Sequence, residues 1–376
     1  MKTQFTILII ISLFFISCQD KPKITPSKKI VKIGVLAPLS GKYVKLGHQS
    51  LLGLKAANKM NKYLSNGDEI VFIQADTKSL PSHAVEATNK LIKNNVKVIF
   101  SFVGSTQMLT LKESLKKVKV PIISTIAADD NITNDNPYLT QVCINNNKQA
   151  LVASHYILDE KFIENVGVVY NTKSSYSSSM AQKFNYYFKK LGGNVVFSID
   201  MNTPNAVEKF QKQNKEKIKM LFNLTDASTT LKLLNSIKKE NNEYKILLSN
   251  GFISSAMETN KESLEEFNGM YIIEHYAEEN SPNNERKNIQ NILKKKSFKE
   301  SSFSLLAYDG YQLLLYALEH CSYTNYDEQC VNSLLQNSDI IQGVSGNFST
   351  QNAKVKREVF VNKIEKLLLK KEVVIY

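Results

Sequence analysis

The sequence predicts an α/β fold made of two doubly wound, parallel-sheet lobes. Three observations carry that expectation. β-rich apolar runs alternate with stretches of helical periodicity along most of the chain. The roughly 350 residues beyond an apolar N-terminal stretch are too many for one compact core and comfortable for two. Several strand-like runs end in small or polar residues, in "APLSG", "FVGST", "TIAAD", "NTKSSY", "LTDAST" and "LSNGF". Open parallel sheets bind ligands beyond such carboxyl ends, where helix N-termini offer free N–H groups.

In order, "IVKIGVLAPL" reads as a strand, and "SLLGLKAANKMNKYL" as a helix with apolar residues at Leu51, Leu52, Leu54, Ala57, Met60 and Leu64. "EIVFIQAD" and "SHAVEATNKLIKNN" repeat the pair, as do "VKVIFSFVG" and "STQMLTLKESLKKV", and "VPIISTIA" closes the first series. A second series begins near Asn147 with the helical "NKQALVASHYILDEK". The strand "NVGVVYN", the helix "SSSMAQKFNYYFKKLG" and the strand "NVVFSID" follow. "AVEKFQKQNKEKI", "KMLFNLTD", "ASTTLKLLNSIKKEN" and "YKILLSNG" then continue the alternation to residue 251. The chain ends with "GMYIIEHYAEE", a long helix "SFSLLAYDGYQLLLYALEHC" and a C-terminal strand pair in which "STQN" is read as the turn.

Met1 and Lys2 precede the uncharged run "FTILIIISLFFIS", which is too short to span a bilayer and reads as an export signal over residues 1–17. "FISC" resembles a bacterial lipobox, which implies cleavage before Cys18, acylation of that cysteine, and a membrane tether formed by the polar residues 18–29. The formal charge of +13 comes from lysines scattered among Asn, Gln and Glu. That distribution is a solvated surface and not a nucleic-acid track, and an exported chain meets no nucleic acid. Cys321 and Cys330 flank "SYTNYDEQ" and, in an oxidising compartment, either bridge or stay free. Cys143 reads as a small buried hydrophobe. The five histidines, at 48, 83, 155, 275 and 320, are isolated from one another, and no spacing suits a metal site; no cofactor is expected.

"VKIGVLAPLSGKYVKLGHQSLLGLKAANKMN" resembles the opening of the type I solute-binding proteins of ABC transporters, the Leu/Ile/Val-binding-protein-like group. "LPSHAVEATNKLIKNNVKVIF", "GSTQ", "VPIISTIAADDNIT", "VGVVYNTKSSY", "ILLSNGFISS", "LAYDGYQLLLYALE" and "GVSGNF" follow in the order that family shows. The resemblance implies two lobes joined by three crossovers, with residues 30–146 and 276–347 in the first and 147–275 and 348–376 in the second. Ligand would close the cleft between them by a hinge motion.

Carried over position by position, the implied first-lobe contacts are Leu46, Val103, Gly104, Ser105, Ile126, Ala127 and Ala128. The second lobe would supply Tyr176, Thr225 or Asp226, and Asn250 with Gly251. The pattern departs from the amino-acid binders at Val103, where serine is common, at Ala128, where threonine is common, and at Asn250, where an acidic residue is usual. Asp309 in "AYDGYQ" is read as bracing its helix. "YSSSM" lacks a Gly-x-Ser-x-Gly elbow, and no histidine or carboxylate pair is placed to serve those serines, so an enzyme is not expected. The resemblance implies a lipid-anchored receptor that delivers a small polar solute, of the amino-acid, amide or short-peptide class, to an ABC permease. A lipoprotein that activates a penicillin-binding protein in cell-wall synthesis, with the amino-acid pocket lost, is the alternative.

Overall fold

The computed structural model describes residues 29–376, apart from 116–117, 135, 214, 239–243, 258–260, 279–282, 367 and 376. The expected leader, Cys18 and the tether up to residue 28 lie outside the described residues.

The first lobe opens with β1 (Ile30–Ala37), α1 (Val44–Met60), β2 (Glu69–Asp76), α2 (Pro81–Lys93), β3 (Val98–Ser101), α3 (Ser105–Leu115), β4 (Ile122–Ser124) and β5 (Leu139–Gln141). The chain then crosses to the second lobe. There it forms α4 (Asn146–His155), β6 (Asn165–Tyr170), α5 (Ser175–Lys190), β7 (Asn194–Asp200), α6 (Ala206–Gln211), β8 (Met220–Asn223) and α7 (Ala227–Lys238). β9 (Lys245–Leu248), α8 (Phe252–Ala256), α9 (Lys261–Glu265) and β10 (Tyr271–Glu274) complete this passage. Back in the first lobe come α10 (Asn284–Lys294), α11 (Ser302–His320), α12 (Glu328–Gln336), β11 (Phe348–Gln351) and β12 (Lys354–Arg357). β13 (Val359–Glu365) and β14 (Leu368–Ile375) return to the second.

The two sheets have matching strand orders, β11-β12-β5-β4-β3-β1-β2 and β14-β13-β10-β9-β8-β6-β7. β1 and β6 each pair in parallel with the strands on both sides, so strand order reverses at β1/β3 and at β6/β8. α1 and α11 pack together over one face of the first sheet, and α2 with α3 over the other. In the second lobe α4 lies against α5, whose Phe184 stacks on Phe188 at 5.0 Å and meets Phe222 of β8 at 4.5 Å. Each such buried ring stabilises the lobe by about 1.5–3 kcal/mol.

The C-terminal part departs from expectation. Residues 348–357, expected in the second lobe, form a hairpin in the first sheet: β11 pairs antiparallel with β12, and Lys354 of β12 meets Gln141 of β5. The turn is not "STQN" but Asn352 and Ala353, with φ of 51° and 63°, a pair of left-handed residues matched to the twist of a two-residue hairpin. Only after Arg357 does the chain cross for the third time, so β13 and β14 form a second hairpin on the other sheet. The sequence shows one long alternating stretch here. What divides it is tertiary: the Arg357 guanidinium is held in the first lobe by Asp309 of α11, at 3.1 Å.

Other differences are smaller. α1 begins at Val44, six residues before the expected start at Ser50, which puts Leu46 on its first turn. The helix from Asn146 is α-helical only to His155 and ends in a π-turn, Tyr156–Glu160. β5 is three residues long, and α10 and α12 lie in charged or polar sequence; none of the three was expected.

Cys321 and Cys330 are bonded, tying the end of α11 to the first turn of α12. The double Cys321→Ser/Cys330→Ser variant is expected to lose about 2.5 kcal/mol of unfolding free energy, from the loop-entropy estimate. A urea midpoint equal to that of the oxidised protein would contradict it. Cys143 is buried, and burial pushes its thiol up to about 12, which keeps it inert.

Candidate functional site

The carboxyl ends of strands from both sheets converge on one cleft of about 180 Å³. From the first lobe come Pro38 after β1, Tyr43 and Leu46 at the start of α1, Phe102 and Gly104 after β3, and Ile126 after β4. Ser105, Thr106 and Gln107 begin α3, and Phe303 stands on the first turn of α11. Across from them, Ser174 and Tyr176 lie at the start of α5, and Asn250, Gly251 and Ser254 follow β9. Among the described residues lining the cleft, none carries a charge. No group of three His, Cys, Asp or Glu side chains among the described residues is placed to hold a metal ion.

Of the residues carried over from the resemblance, the cleft brings together Leu46, Gly104, Ser105, Ile126, Tyr176, Asn250 and Gly251. The other five do not line it. Val103 and Ala127 are buried in the core beneath α3. Ala128 packs with Cys143 and Leu306 behind the Tyr176 ring. Thr225 turns inward to donate its hydroxyl to Asn223 at 2.7 Å. Asp226 accepts the Thr229 N–H at 2.8 Å and so caps α7. The reason is local: these five serve the turns that deliver their neighbours.

Ser105 shows how such a turn is built. Its Oγ accepts the N–H groups of Ala128 and Asp129, each at 3.1 Å, and fixes the loop after β4 against α3. Tyr176 is the hub of the opposite wall. Its hydroxyl donates to Asn250 Oδ1 at 2.8 Å, lies 3.0 Å from Gln149 Oε1, and accepts the Gly251 N–H at 3.2 Å. A Cβ on Gly251 would stand 2.3 Å from the Tyr176 ring, so only glycine lets the ring lie flat there. Burial raises the Tyr176 phenol well above its usual range, and it stays protonated.

Pro38, Tyr43, Phe102, Thr106, Gln107, Ser174, Ser254 and Phe303 also line the cleft and were not anticipated. For Phe102, Thr106, Gln107 and Ser174 the signal was present, since each sits within a residue or two of a strand end or helix start already singled out. Phe303 had none; it arrives from α11, some two hundred residues beyond Phe102.

The Periplasmic binding protein family profile matches residues 30–366. The chain belongs to that family. Its match to the Leu/Ile/Val-binding protein BraC3 of Rhizobium johnstonii is 28% identical over 161 residues, covering 41% of this chain and 42% of the relative. The Leu/Ile/Val-binding protein homolog 3 of Brucella melitensis biotype 1 is 25% identical over 179 residues, 46% of this chain and 48% of the relative. The matched stretch thus spans under half the length of these curated relatives. Among solved structures, the leucine binding protein LivK of Thermotoga maritima superposes with a TM-score of 0.80 at 20% identity, covering 92% of this chain and 98% of that one. A solute binding protein of an ABC transporter from R. palustris, in complex with 4-hydroxybenzoate, gives 0.78 at 20% identity, covering 92% and 97%. These neighbours share the expected type I fold.

In this periplasmic binding protein the crossovers meet behind the cleft. His275, just after β10, accepts the Ile144 N–H at 2.9 Å through Nε2, which leaves the proton of the neutral ring on Nδ1. That proton faces Glu274 Oε2 at 3.4 Å, and the ring packs against the Asn250 side chain, whose nitrogen is 3.4 Å from Nδ1, so one buried ring ties two crossovers together behind the cleft wall. Burial lowers the His275 pKa below its ordinary 6.5, with Glu274 opposing and Arg357 adding to the shift. Because the folded value is depressed, the stability is fully present above the unfolded pKa and is lost as pH falls from there toward the folded value. Thermal midpoints measured from pH 7 to pH 5 are expected to fall more steeply for the wild type than for His275→Gln. Parallel profiles would contradict this.

The lobes also touch at the mouth. Thr106 Oγ1 lies 3.1 Å from Ser175 Oγ and accepts the Ser175 N–H at 3.3 Å, while Lys45 Nζ donates to the Met257 carbonyl at 2.9 Å.

Proposed function

We propose that the protein captures a small solute between its lobes, outside the cytoplasm, and delivers it to an ABC permease. The observation that carries this reading is the cleft of about 180 Å³ on which strand ends of both sheets converge, its described lining made of neutral polar and apolar side chains. Its supports are family membership, relatives named as Leu/Ile/Val-binding proteins, and structural neighbours in complex with isoleucine or 4-hydroxybenzoate. Leu46, Gly104, Ser105, Ile126, Tyr176, Asn250 and Gly251 are the residues of the original set assigned to the solute. Removal of the leader and acylation of Cys18 tether the protein to the membrane.

The test is a thermal-shift screen of amino acids, amides, short peptides and small organic acids on the purified protein. A ligand at one hundred times its dissociation constant adds about 2.7 kcal/mol of stability. The chain has no tryptophan, so the readout is a dye or calorimetry. No shift from any solute, with a cell-wall synthase copurifying, would sink the transport reading and leave the activator role. Cys18→Ser is expected to move the protein out of the membrane fraction, and retention there would contradict the lipid tether.

A further inference from the structure

We propose that the cleft selects a small carboxylate with an apolar body and no ammonium group, and that Gln107 reads its head. This rests on the reading that the cleft holds a solute.

An ammonium group removed from water needs a carboxylate partner, and the described lining supplies none. The carboxylates nearby are engaged elsewhere. Asp226 caps α7. Asp76 accepts the Leu39 N–H at 2.8 Å and the Ser40 hydroxyl at 2.6 Å, holding the turn after β1. Asp309 is paired with Arg357, and Glu274 lies behind His275. An α-amino acid entering this cleft loses the hydration of its ammonium and gains no charged partner.

Hydrogen-bond donors, by contrast, are in surplus. The first intrahelical bond at the head of α3 runs from the Met108 N–H to the Gly104 carbonyl at 3.0 Å. Ser105, Thr106 and Gln107, all lining the cleft, therefore precede it with their N–H groups unclaimed by the helix. The positive end of the α3 dipole adds a field that favours an anion. A second observation is independent of the helix. The Gln107 side chain, at 8% exposure, lines the cleft and makes no hydrogen bond among the described residues. A buried amide is ordinarily paired, and its Nε2 donors suit a carboxylate oxygen. With no lysine or arginine on the described lining, these neutral donors match one negative charge and not two. Phe102, Leu46, Ile126 and Phe303 then surround the remainder of the molecule with apolar surface.

The test uses calorimetry on the purified protein with two matched pairs, 4-methylpentanoate against leucine and 3-phenylpropanoate against phenylalanine, with 3-methylbutylamine as the cation control. In at least one pair the carboxylate is expected to bind ten-fold or more tightly than its amino acid, and the amine not at all. Gln107→Leu is expected to weaken the carboxylate at least ten-fold while the thermal midpoint of the ligand-free protein stays level or rises. An amino acid that binds as tightly as its deaminated partner overturns the selectivity and leaves solute capture standing. Unchanged affinity in Gln107→Leu overturns the role of that side chain. Silence from all five probes overturns the proposal, and the wider solute screen then decides separately whether the cleft binds anything.

Discussion

Asp309→Ala is expected to cost about 3–5 kcal/mol of unfolding free energy, the penalty for leaving a buried charge without its partner. Asp309 on α11 is 0% exposed and the Arg357 side chain 2%. The carboxylate also accepts the Val344 N–H at 2.7 Å and the Ser345 hydroxyl. Arg357 in turn lies over the Phe348 ring at 5.5 Å. One carboxylate therefore holds the last residue of β12, the loop before β11 and the long helix in register. Removing it strands the guanidinium in a site from which water is excluded. The first-sheet hairpin then loses the tie that keeps residues 348–357 out of the second lobe. The measurement is urea denaturation, with a lowered midpoint as the expected result. Asp309→Leu/Arg357→Met, which removes both charges together, is expected to recover much of the loss, because the pair itself barely offsets its desolvation. A single variant within 1 kcal/mol of wild type would sink the account.

How much of this was legible depends on how local the cause is. "EIVFIQAD" gives β2 with both boundaries correct, because a β-rich apolar run with polar flanks specifies a strand by itself. β5 has three residues, too few for any period to register, and forms because it is paired on both sides: the Ile122 N–H of β4 donates to the Tyr138 carbonyl just before β5, and the Gln141 N–H donates to the Ala353 carbonyl. The helix α10 carries its buried Ile289 and Leu293 inside a charged run, so its apolar stripe is thin. In the site, Gly104 and Asn250 were readable as residues just beyond strand ends, while Leu46, on the first turn of α1, came from the family pattern. Asp226 was not separable from them, because an N-cap and a ligand carboxylate occupy the same kind of position after a strand. The family pattern carried Val103 and Ala128 into the ligand set, and in this chain their apolar side chains turn into the core, so these substitutions remove polar groups from beside the site.

Gly53→Ala is the sharper case, because two opposing effects must be weighed. Alanine in place of glycine within a helix favours α1 by about 1 kcal/mol. Here, however, the added Cβ would come 2.0 Å from the Ser304 carbonyl oxygen and 2.8 Å from its carbon, backbone atoms of α11 that no rotamer change can move. Nor is that backbone loose. Ser301 and Ser304 form a capping box at the head of α11, and Gln49 of α1 bonds the Ser301 hydroxyl and the Lys299 carbonyl. Relief requires α1 and α11 to separate, and those helices cover one face of the first sheet and carry Leu46 and Phe303 to the cleft. Overpacking of this kind costs roughly 1–3 kcal/mol when side chains can adjust, and more when the obstacle is main chain. The clash therefore outweighs the propensity gain, and a net loss of about 2 kcal/mol is expected in urea denaturation. Gly104→Ala is the control: its new methyl meets nothing within 4 Å, so it leaves the midpoint near wild type while it narrows the cleft. A Gly53→Ala protein as stable as the wild type would mean that the two helices are not in the close contact described.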